Sequence, residues 1–455
     1  MDLKYIIVLL LAFSTAATII LNKEKYGLYI LTFCIPFAAL PFKENGVLIG
    51  MNGIIIVVYW ITLKFKYNIV LKVGLNNWLG ISKKLLWLYY LLIMGFILGI
   101  SHESYEVFNS PLLESFNPQE EILNFSAFII IVILYLKIMV NYAGDSELQD
   151  KLLYIFTLTP FLHFIAYIFS IVGLANLLPA FMSTVGGNYS YGTIYRFWGL
   201  LGDYELIVDY AMVSIASSLI LIIKGKHKVI SLASIIVSIF CGLLSGTRSF
   251  LIIVPLFILV YIIGVLKDTN TVKNILKATA SFSILLVILI FIQQNYLPTF
   301  TIFERLENTR YLVSSGNWAE ASNRPFWDAI PDIINESMLL GNGSLAINLI
   351  NKNEMVSHNI ILSSYARYGI IGIILTLYIF MISFKKLLAI FRRISGKNRK
   401  VVLVWIALLV SLFAQEMKIS AIRSLAPILI YAFMFINIYY IIDHHQNSEN
   451  TQESE

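Results

Sequence analysis

Apolar stretches of about 17 to 25 residues recur along almost the whole of this 455-residue chain, and they constrain its fold more than any other feature. Each stretch is long enough to cross the hydrocarbon core of a bilayer as a helix. Hydrophobic residues make up 58% of the sequence and charged residues only 13%, about half the charged share of a typical soluble protein. The apolar runs are continuous and do not alternate, which argues against a transmembrane barrel. The sequence therefore predicts an all-α, polytopic integral membrane protein.

We identify about twelve or thirteen transmembrane helices. The predicted spans cover residues 4–22, 26–42, 47–63, 84–101, 122–141, 152–174, 204–223, 228–245, 249–266, 274–293, 358–384, 400–416 and 424–442. The first span has no small-residue cleavage pattern, so we interpret it as a retained helix and not as a signal peptide. Residues 1–455 then form a single polytopic membrane domain.

The distribution of basic residues orients these spans by the positive-inside rule. Residues 385–400 carry seven basic side chains and no acid, which makes this segment cytoplasmic. The basic turns near 224–228 and 267–273 fall on the same side, whereas the acidic loop 102–121 falls outside. The external segments are then 177–203, the short turn 245–249 and one large loop, 294–357. The polar tail 443–455 is predicted to be disordered in the cytoplasm.

Composition argues against several other classes of protein. The two cysteines, Cys34 and Cys241, lie inside apolar runs and are too few for a disulfide framework or a four-ligand metal site. The net charge of +6 comes from lysines at positions that membrane topology favours, so it requires no nucleic-acid partner. No Walker loop, metal-ligand spacing or paired-acid motif appears, which leaves a nucleotide-driven pump or a nucleotide-sugar transferase unsupported.

Arginine is retained on the external face, whereas lysine is not. Six of the ten arginines fall there, namely Arg196, Arg248, Arg305, Arg310, Arg324 and Arg423, against only two of the 23 lysines. The guanidinium group is planar, stays charged and binds phosphate or carboxylate oxygens through two parallel hydrogen bonds. This bias predicts a phosphate or carboxylate ligand. For Arg305 and Arg310 the alternative is pairing with acids such as Glu304 and Glu307, which would only fold the loop.

Two residues stand out by position. Arg248 lies in a very short turn between two spans and has no acidic neighbour in sequence. Holding a charge at that position costs free energy, so a charged residue there is typical of a functional site. The alternative is that the Arg248 side chain only extends towards the lipid headgroups. His358 precedes Asn359 at the start of the span 358–384, near a glycine-rich turn. Its imidazole can accept a proton from a hydroxyl near neutral pH, although a lone histidine is more often structural.

Two other arginines have open interpretations. Arg196 lies in an aromatic- and glycine-rich stretch before the span 204–223, which suits a sugar phosphate and equally suits the aromatic belt of a membrane interface. Arg367 is the exception to the external clustering, because a continuous helix would place it about 13 Å from His358, inside the span. Arg367 then either lines the entrance of a lipid-tail cavity or pairs with a buried acid.

The order of these motifs resembles the O-antigen ligase/polymerase superfamily of bacterial envelope enzymes. In that pattern an external Arg-Gly loop precedes a span that ends in a Ser/Thr-x-Arg turn, and a large external loop ends at His-Asn before a Gly-x-x-Gly helix. The matching positions are Arg196 with Gly199, Ser245–Arg248, Arg324–Trp327, Gly341–Gly343, His358–Asn359 and Gly369–Gly372. The resemblance covers roughly residues 190–385. The first loop departs from it, because Gly202–Glu205 stands where the family often has Asp-Pro-Asn.

The resemblance implies glycosyl transfer at the outer face of the bacterial inner membrane. The donor is then a glycan on undecaprenyl pyrophosphate and the acceptor a sugar hydroxyl, with inversion at the anomeric carbon and without a metal ion or another cofactor. The implied catalytic residues are Arg248, which stabilises the leaving pyrophosphate, and His358, which acts as base or orienter. The implied ligands of the pyrophosphate or glycan are Arg196, Arg305, Arg324 and Asn359.

Within that superfamily we favour a polymerase that joins repeat units into O-antigen or capsular polysaccharide, with a chain-length regulator and a flippase as further partners. The alternative is a ligase that passes finished polymer to the lipid A core. A flippase for lipid-linked oligosaccharides belongs to a different class. It fits less well, because the charges collect at one face and the chain has no two related halves.

Overall fold

The computed structural model describes residues 3–35, 41–44, 47–67, 118–142, 145–172, 184–189, 192–197, 206–266, 360–417 and 429–442 without 439, together with a few isolated positions between 273 and 339. The N-terminal elements are α1 (Leu3–Ile20), α2 (Glu24–Cys34), β1 (Pro41–Glu44), β2 (Val47–Gly50), α3 (Met51–Tyr67), α4 (Pro118–Asn141) and α5 (Ser146–Ile171). They are followed by β3 (Thr184–Tyr189), β4 (Gly192–Phe197), α6 (Leu206–Lys224), α7 (Lys228–Leu244), α8 (Phe250–Val265), α9 (Ile360–Arg393), α10 (Gly396–Glu416) and α11 (Leu429–Ile442).

The all-α, multi-pass membrane fold is confirmed. In the described part of the chain four helices are long and apolar enough to cross a membrane, namely Ser146–Phe169, Leu206–Lys224, Gly369–Arg393 and Gly396–Glu416. Shorter apolar helices accompany them, and two small antiparallel hairpins, β1–β2 and β3–β4, are added to the helical fold. The predicted span 84–101 and the tail 443–455 lie outside the described residues, as do almost all of 274–293 and 294–357.

The chain divides into two compact units. The first comprises Met1–Ile155, Asn323–Lys386 and Glu416–Glu455, and the second comprises Phe156–Ser322 and Leu387–Gln415. The first segment of the second unit begins within α5, and its second segment begins within α9. Each unit therefore combines helices that are far apart in sequence.

In the first unit, the turn between α1 and α2 meets the turn between α4 and α5. The Lys25 amino group lies 2.5 Å from the Asp145 carboxylate. In the middle of α3, the hydroxyl of Tyr59 donates to the Glu24 carbonyl at 3.3 Å and lies 3.0 Å from the hydroxyl of Tyr142. In the last turn of α3, Lys66 donates to the Ile19 carbonyl near the end of α1. The C-terminal ends of α1, α3 and α4 and the N-terminal ends of α2 and α5 thus lie together. The predicted spans require this arrangement, because they place all of these turns on the same side of the membrane.

Asp145 also caps α5, and its removal is expected to destabilise the first unit. Its carboxylate accepts the Leu148 N–H at 2.9 Å, as N-cap residues do. Replacing Asp145 with alanine is expected to cost about 1 kcal/mol of stability, and replacement with asparagine less, since an amide oxygen still caps the helix. Thermal unfolding of the purified protein in detergent measures both changes.

The effect of Asp145 is expected to depend on pH. The hydrogen bond from Lys25, followed by that from the Leu148 N–H, lowers the pKa of Asp145 below its ordinary value. A carboxyl group with a lowered folded-state pKa contributes its stability above the ordinary value of about 3.9 and loses it as the pH falls through the folded-state value. The stability difference between the wild type and Asp145→Asn should therefore shrink in acid, and a constant difference would contradict the role of the charge.

The first hairpin corrects two predicted spans. Helix α2 ends at Cys34, whereas a span was predicted to reach residue 42, and the predicted span 47–63 begins with a strand. Glu44 pairs with Val47 in the hairpin register, and the two residues between them in the sequence are Asn45 and Gly46. Asn-Gly is a preferred two-residue hairpin loop because both residues tolerate positive φ. This dipeptide was a local signal for the hairpin, and the apolar residues around it concealed the signal.

A proline in α5 explains a polar contact among α5, α6 and α7 in the second unit. Pro160 has no N–H, so the carbonyl of Phe156 lacks its ordinary helical donor. Thr159 donates to this carbonyl at 2.8 Å, and Ser214 of α6 donates to it at 3.0 Å. Ser234 of α7 lies 3.3 Å from the Ser214 hydroxyl. In an apolar bundle a neighbouring helix must satisfy such a carbonyl, and small serines also let the three helices approach closely.

Candidate functional site

The turn that joins α7 to α8 carries Arg248. Gly246 adopts a φ of 64° there, in the left-handed region that favours glycine. The Ser245 hydroxyl donates to the Gly242 carbonyl at 2.7 Å and accepts the Thr247 N–H at 3.2 Å. The Ser245 side chain is thus hydrogen-bonded both to the helix before the turn and to the residue after Gly246. Arg248 therefore extends from a well-defined backbone.

This turn is buried around Arg248. Ser245, Thr247 and Ser249 are buried, while Arg248 itself is half-buried. The end of α7 packs so closely on Phe250 that a Cβ at Gly242 would lie 2.3 Å from the phenyl ring. A charge that is partly removed from water interacts more strongly with an anion than an exposed charge does. The turn can therefore hold a phosphate or carboxylate group against Arg248.

Helix α7 separates this turn from the basic turn Lys224–Lys228. Its 17 residues correspond to a length of about 25 Å, most of the roughly 30 Å thickness of the hydrocarbon core of a bilayer. Lys226 and His227 are exposed at the far end of the helix. Arg248 and the lysine turn thus lie at opposite ends of α7, as the predicted topology requires.

Strand β4 packs against the same end of the second unit. The ring of Phe197, the last residue of β4, lies 5.6 Å from that of Tyr167 on α5, and Tyr167 in turn lies 5.6 Å from Phe240 on α7. Arg196 directly precedes Phe197 and is paired with Val185 across the β3–β4 hairpin. The aromatic contacts thus bring the strand of Arg196 to the end of α7 from which the turn with Arg248 extends. The external segment 177–203 was predicted as a loop, and the hairpin lies within it.

Buried polar residues lie close to this end of the unit. Cys241 donates a weak hydrogen bond to the Pro160 carbonyl at 3.9 Å, and the His163 ring meets Tyr210 edge-on at 5.1 Å. Asp209, in the first turn of α6, is only 2% exposed. The sequence analysis overlooked Asp209, although an acid inside an apolar span is itself a signal for a functional or paired residue.

In the first unit, Gly369 divides α9 into two helices. Its φ of 62° and ψ of −158° are readily accessible only to glycine. Ser364 and Thr376, on either side of it, are buried, and their hydroxyls lie 3.1 Å apart. The predicted continuous span 358–384 is therefore wrong, because the long apolar helix begins at Gly369 and residues 360–368 form a separate helix. Arg367 belongs to that separate helix and not to the span.

A comparison of the sequence with known protein families matches a segment that contains both the arginine turn and the divided helix. Residues 233–377 match a family model described as O-antigen ligase. This match supports a relationship of the chain to the O-antigen ligase/polymerase superfamily. No curated protein matches the chain. Enzymes of this superfamily carry out glycosyl transfer, and the match does not separate its ligases from its polymerases.

The segment matched to this superfamily contains most of the predicted site residues. It includes the turn with Arg248, both halves of the Gly369 break and the positions Arg305, Arg324, His358 and Asn359, and it begins after Arg196. Those last four positions in the match lie outside the described residues, so their roles stay predictions. Arg310 is exposed on a short helical turn. The structure brings together the strand of Arg196 and the turn of Arg248 at one end of the second unit.

Proposed function

We propose that this protein polymerises oligosaccharide repeat units carried on undecaprenyl pyrophosphate, at the outer face of the bacterial inner membrane. The product is O-antigen or capsular polysaccharide. The observation that carries the proposal is the half-buried Arg248 on its hydrogen-bonded turn, inside the segment that matches the O-antigen ligase family. A lipid-linked pyrophosphate is the anion that such a turn, at the end of membrane helices, is suited to hold.

The chemistry of this transfer requires that negative charge be stabilised on the leaving group. The acceptor hydroxyl oxygen attacks the anomeric carbon, the bond from that carbon to the pyrophosphate oxygen breaks, and the configuration inverts. Arg248 stabilises the charge that develops on the pyrophosphate, and a donor fixed before the reaction does so without reorganisation. Arg196, Arg305, Arg324 and Asn359 are proposed to bind the remaining phosphate and glycan oxygens. His358 takes the hydroxyl proton or orients the hydroxyl.

A second candidate function is ligation of finished polymer to the lipid A core. The specific observation in its favour is that the matching family model is itself described as O-antigen ligase. The donor carrier, the leaving group and the role of Arg248 are the same in both reactions. Only the acceptor differs, which is a growing glycan in one case and the lipid A core in the other.

Deletion of the gene is expected to separate the two functions. Loss of a polymerase should leave single repeat units attached to the lipid A core or to its equivalent acceptor, whereas loss of a ligase should leave polymer attached to undecaprenyl pyrophosphate. Electrophoresis of the cell-surface glycan, together with extraction of the lipid-linked fraction, distinguishes these products. An unchanged glycan profile would contradict both functions.

The purified protein tests the reaction itself and the flippase alternative. In detergent, with lipid-linked repeat units as the only substrate, the wild type is expected to form polymer and release undecaprenyl pyrophosphate. His358→Ala should form at least tenfold less, since one acid-base group contributes roughly 100-fold or more. A flippase forms no polymer under these conditions, because it only moves its substrate across a membrane.

A further inference from the structure

The hydrogen bond between the side chains of Ser364 and Thr376 shows that the chain reverses its direction at Gly369. In a straight helix, two residues twelve positions apart are separated by about 18 Å along the axis. Two short hydroxyl side chains cannot bridge that distance, yet their oxygens lie 3.1 Å apart. Helix 360–368 must therefore run back beside the first turns of the span Gly369–Arg393. The positive φ of Gly369 makes the reversal possible within one residue.

Burial along the span shows which of its faces is covered by protein. Gly372, Thr376, Ile379, Phe380 and Ser383 are buried, and the helical period places all five on one face. The opposite face exposes the large apolar side chains Ile370, Ile371, Ile374, Tyr378 and Met381. The Ser364–Thr376 bond thus lies on the protein-covered face, on which the residue one turn before Thr376 is a glycine. Small residues on such a face allow two helices to approach closely.

We propose that Ser364 and Thr376 are positioning residues for glycosyl transfer. Their bond holds helix 360–368 in the reversed arrangement, and this helix is the element that directly follows His358 and Asn359 in the sequence. The role in transfer rests on the proposed function, whereas the reversed arrangement does not depend on it. Neither hydroxyl contacts the reacting groups in this proposal. Both act by fixing the direction of the start of this helix at Ile360, which His358 and Asn359 immediately precede in the sequence.

A hydrogen bond suits this task better than apolar packing alone. Two hydroxyls can form this hydrogen bond only in the arrangement in which they meet, whereas apolar side chains can pack in several arrangements. Buried Ile360 at the start of the helix completes its attachment to the protein. Loss of the bond leaves the helix attached but poorly directed. A displacement of about 1 Å at a reacting group costs up to about 100-fold in rate.

Cysteine cross-linking tests the reversed arrangement without reference to activity. Ser364→Cys and Thr376→Cys are combined in full-length protein in which Cys34 and Cys241 are replaced by alanine. Mild oxidation should join the pair and block its labelling with a maleimide-polyethylene glycol, and reduction should restore two labels per chain. A disulfide requires Cα atoms within about 7 Å, which a straight helix excludes. The matched control combines Ser364→Cys with Ser383→Cys, about two turns further along the same buried face, and should stay reduced.

Conservative substitutions test the positioning role. Thr376→Val removes the hydroxyl at nearly constant volume, and it should lower kcat for polymer formation by about tenfold or more with little change in KM for the lipid-linked donor. Thr376→Ser keeps the hydroxyl and should retain most of the rate, with both variants at wild-type levels in the membrane.

Absence of the 364–376 cross-link would overturn the reversed arrangement. Cross-linking together with full activity of Thr376→Val would overturn the positioning role. A wild type that forms no polymer would refute the proposed function while the cross-link result stood independently.

Discussion

Replacement of Arg248 with alanine is expected to lower polymer formation by about 100-fold to 1,000-fold, while the protein remains in the membrane at normal levels. The loss of one fixed donor to a developing oxyanion typically costs this much. The backbone of the turn should persist in the variant, because Ser245 and Gly246 determine it and the Arg248 side chain does not. The rate of polymer formation from lipid-linked repeat units measures the effect.

Arg248→Lys separates the charge of the side chain from its shape. Lysine keeps the positive charge but cannot form the two parallel hydrogen bonds of a guanidinium, so its activity should fall between those of the wild type and the alanine variant. Arg399 provides a matched control, since it is also half-buried and stacks on Phe391 at 4.4 Å in the basic segment 385–400. Arg399→Ala should leave polymer formation close to normal. Wild-type activity of Arg248→Ala would refute the assignment of this turn as the pyrophosphate site.

Replacement of Gly242 with alanine is expected to abolish most activity through a purely steric effect. The new Cβ would lie 2.3 Å from the ring of Phe250, which is 2% exposed and has little room to move. Overpacking of this kind costs about 1–3 kcal/mol. Because Phe250 begins α8 immediately after the turn, its displacement should also shift Arg248. Activity and thermal stability of the purified variant report the two effects separately.

Two further variants test whether displacement of the Arg248 turn causes the loss of activity in Gly242→Ala. Gly264→Ala introduces the same kind of clash near the other end of α8, where a Cβ would lie 2.3 Å from Leu403. It should destabilise the protein to a similar extent while each folded molecule remains active. Adding Phe250→Leu to Gly242→Ala should relieve the clash and restore part of the activity. Equal loss of activity per folded molecule in the two glycine variants would show that the turn has no special role.

The sequence was sufficient to predict the helices that flank the arginine turn. Predicted spans 204–223, 228–245 and 249–266 agree within two residues with Leu206–Lys224, Lys228–Leu244 and Phe250–Val265. Helices α7 and α8 are continuous apolar runs on either side of the Ser-Gly-Thr-Arg turn, and α6 ends at the lysine-rich turn that precedes α7. Apolar length and turn composition are local properties, so they determine these boundaries without knowledge of the tertiary structure.

Features that depend on contacts between distant residues were not predictable in the same way. The packing of β4 depends on Phe197 meeting Tyr167 and Phe240, which no local pattern reveals. The break at Gly369 was overlooked because the glycine lies in an apolar run that otherwise continues without interruption. Glycine within a membrane helix also serves close packing, so its presence alone does not indicate a turn. The backbone angles of Gly369 and the hydrogen bond between Ser364 and Thr376, on different helices, show that it forms a turn here.

The break at Gly369 also has a consequence for the surrounding lipid. It shortens the apolar part of the following span to the stretch from Gly369 to Phe384, because Lys385 and Lys386 come next. At 1.5 Å per residue this stretch is about 24 Å long, whereas the hydrocarbon core of a bilayer is about 30 Å thick. A bilayer adapts to a short span by thinning around it and by extension of the flanking lysines. The headgroup layer is thereby drawn in towards the Gly369 turn, which brings the charged group of a lipid in that layer closer to the turn.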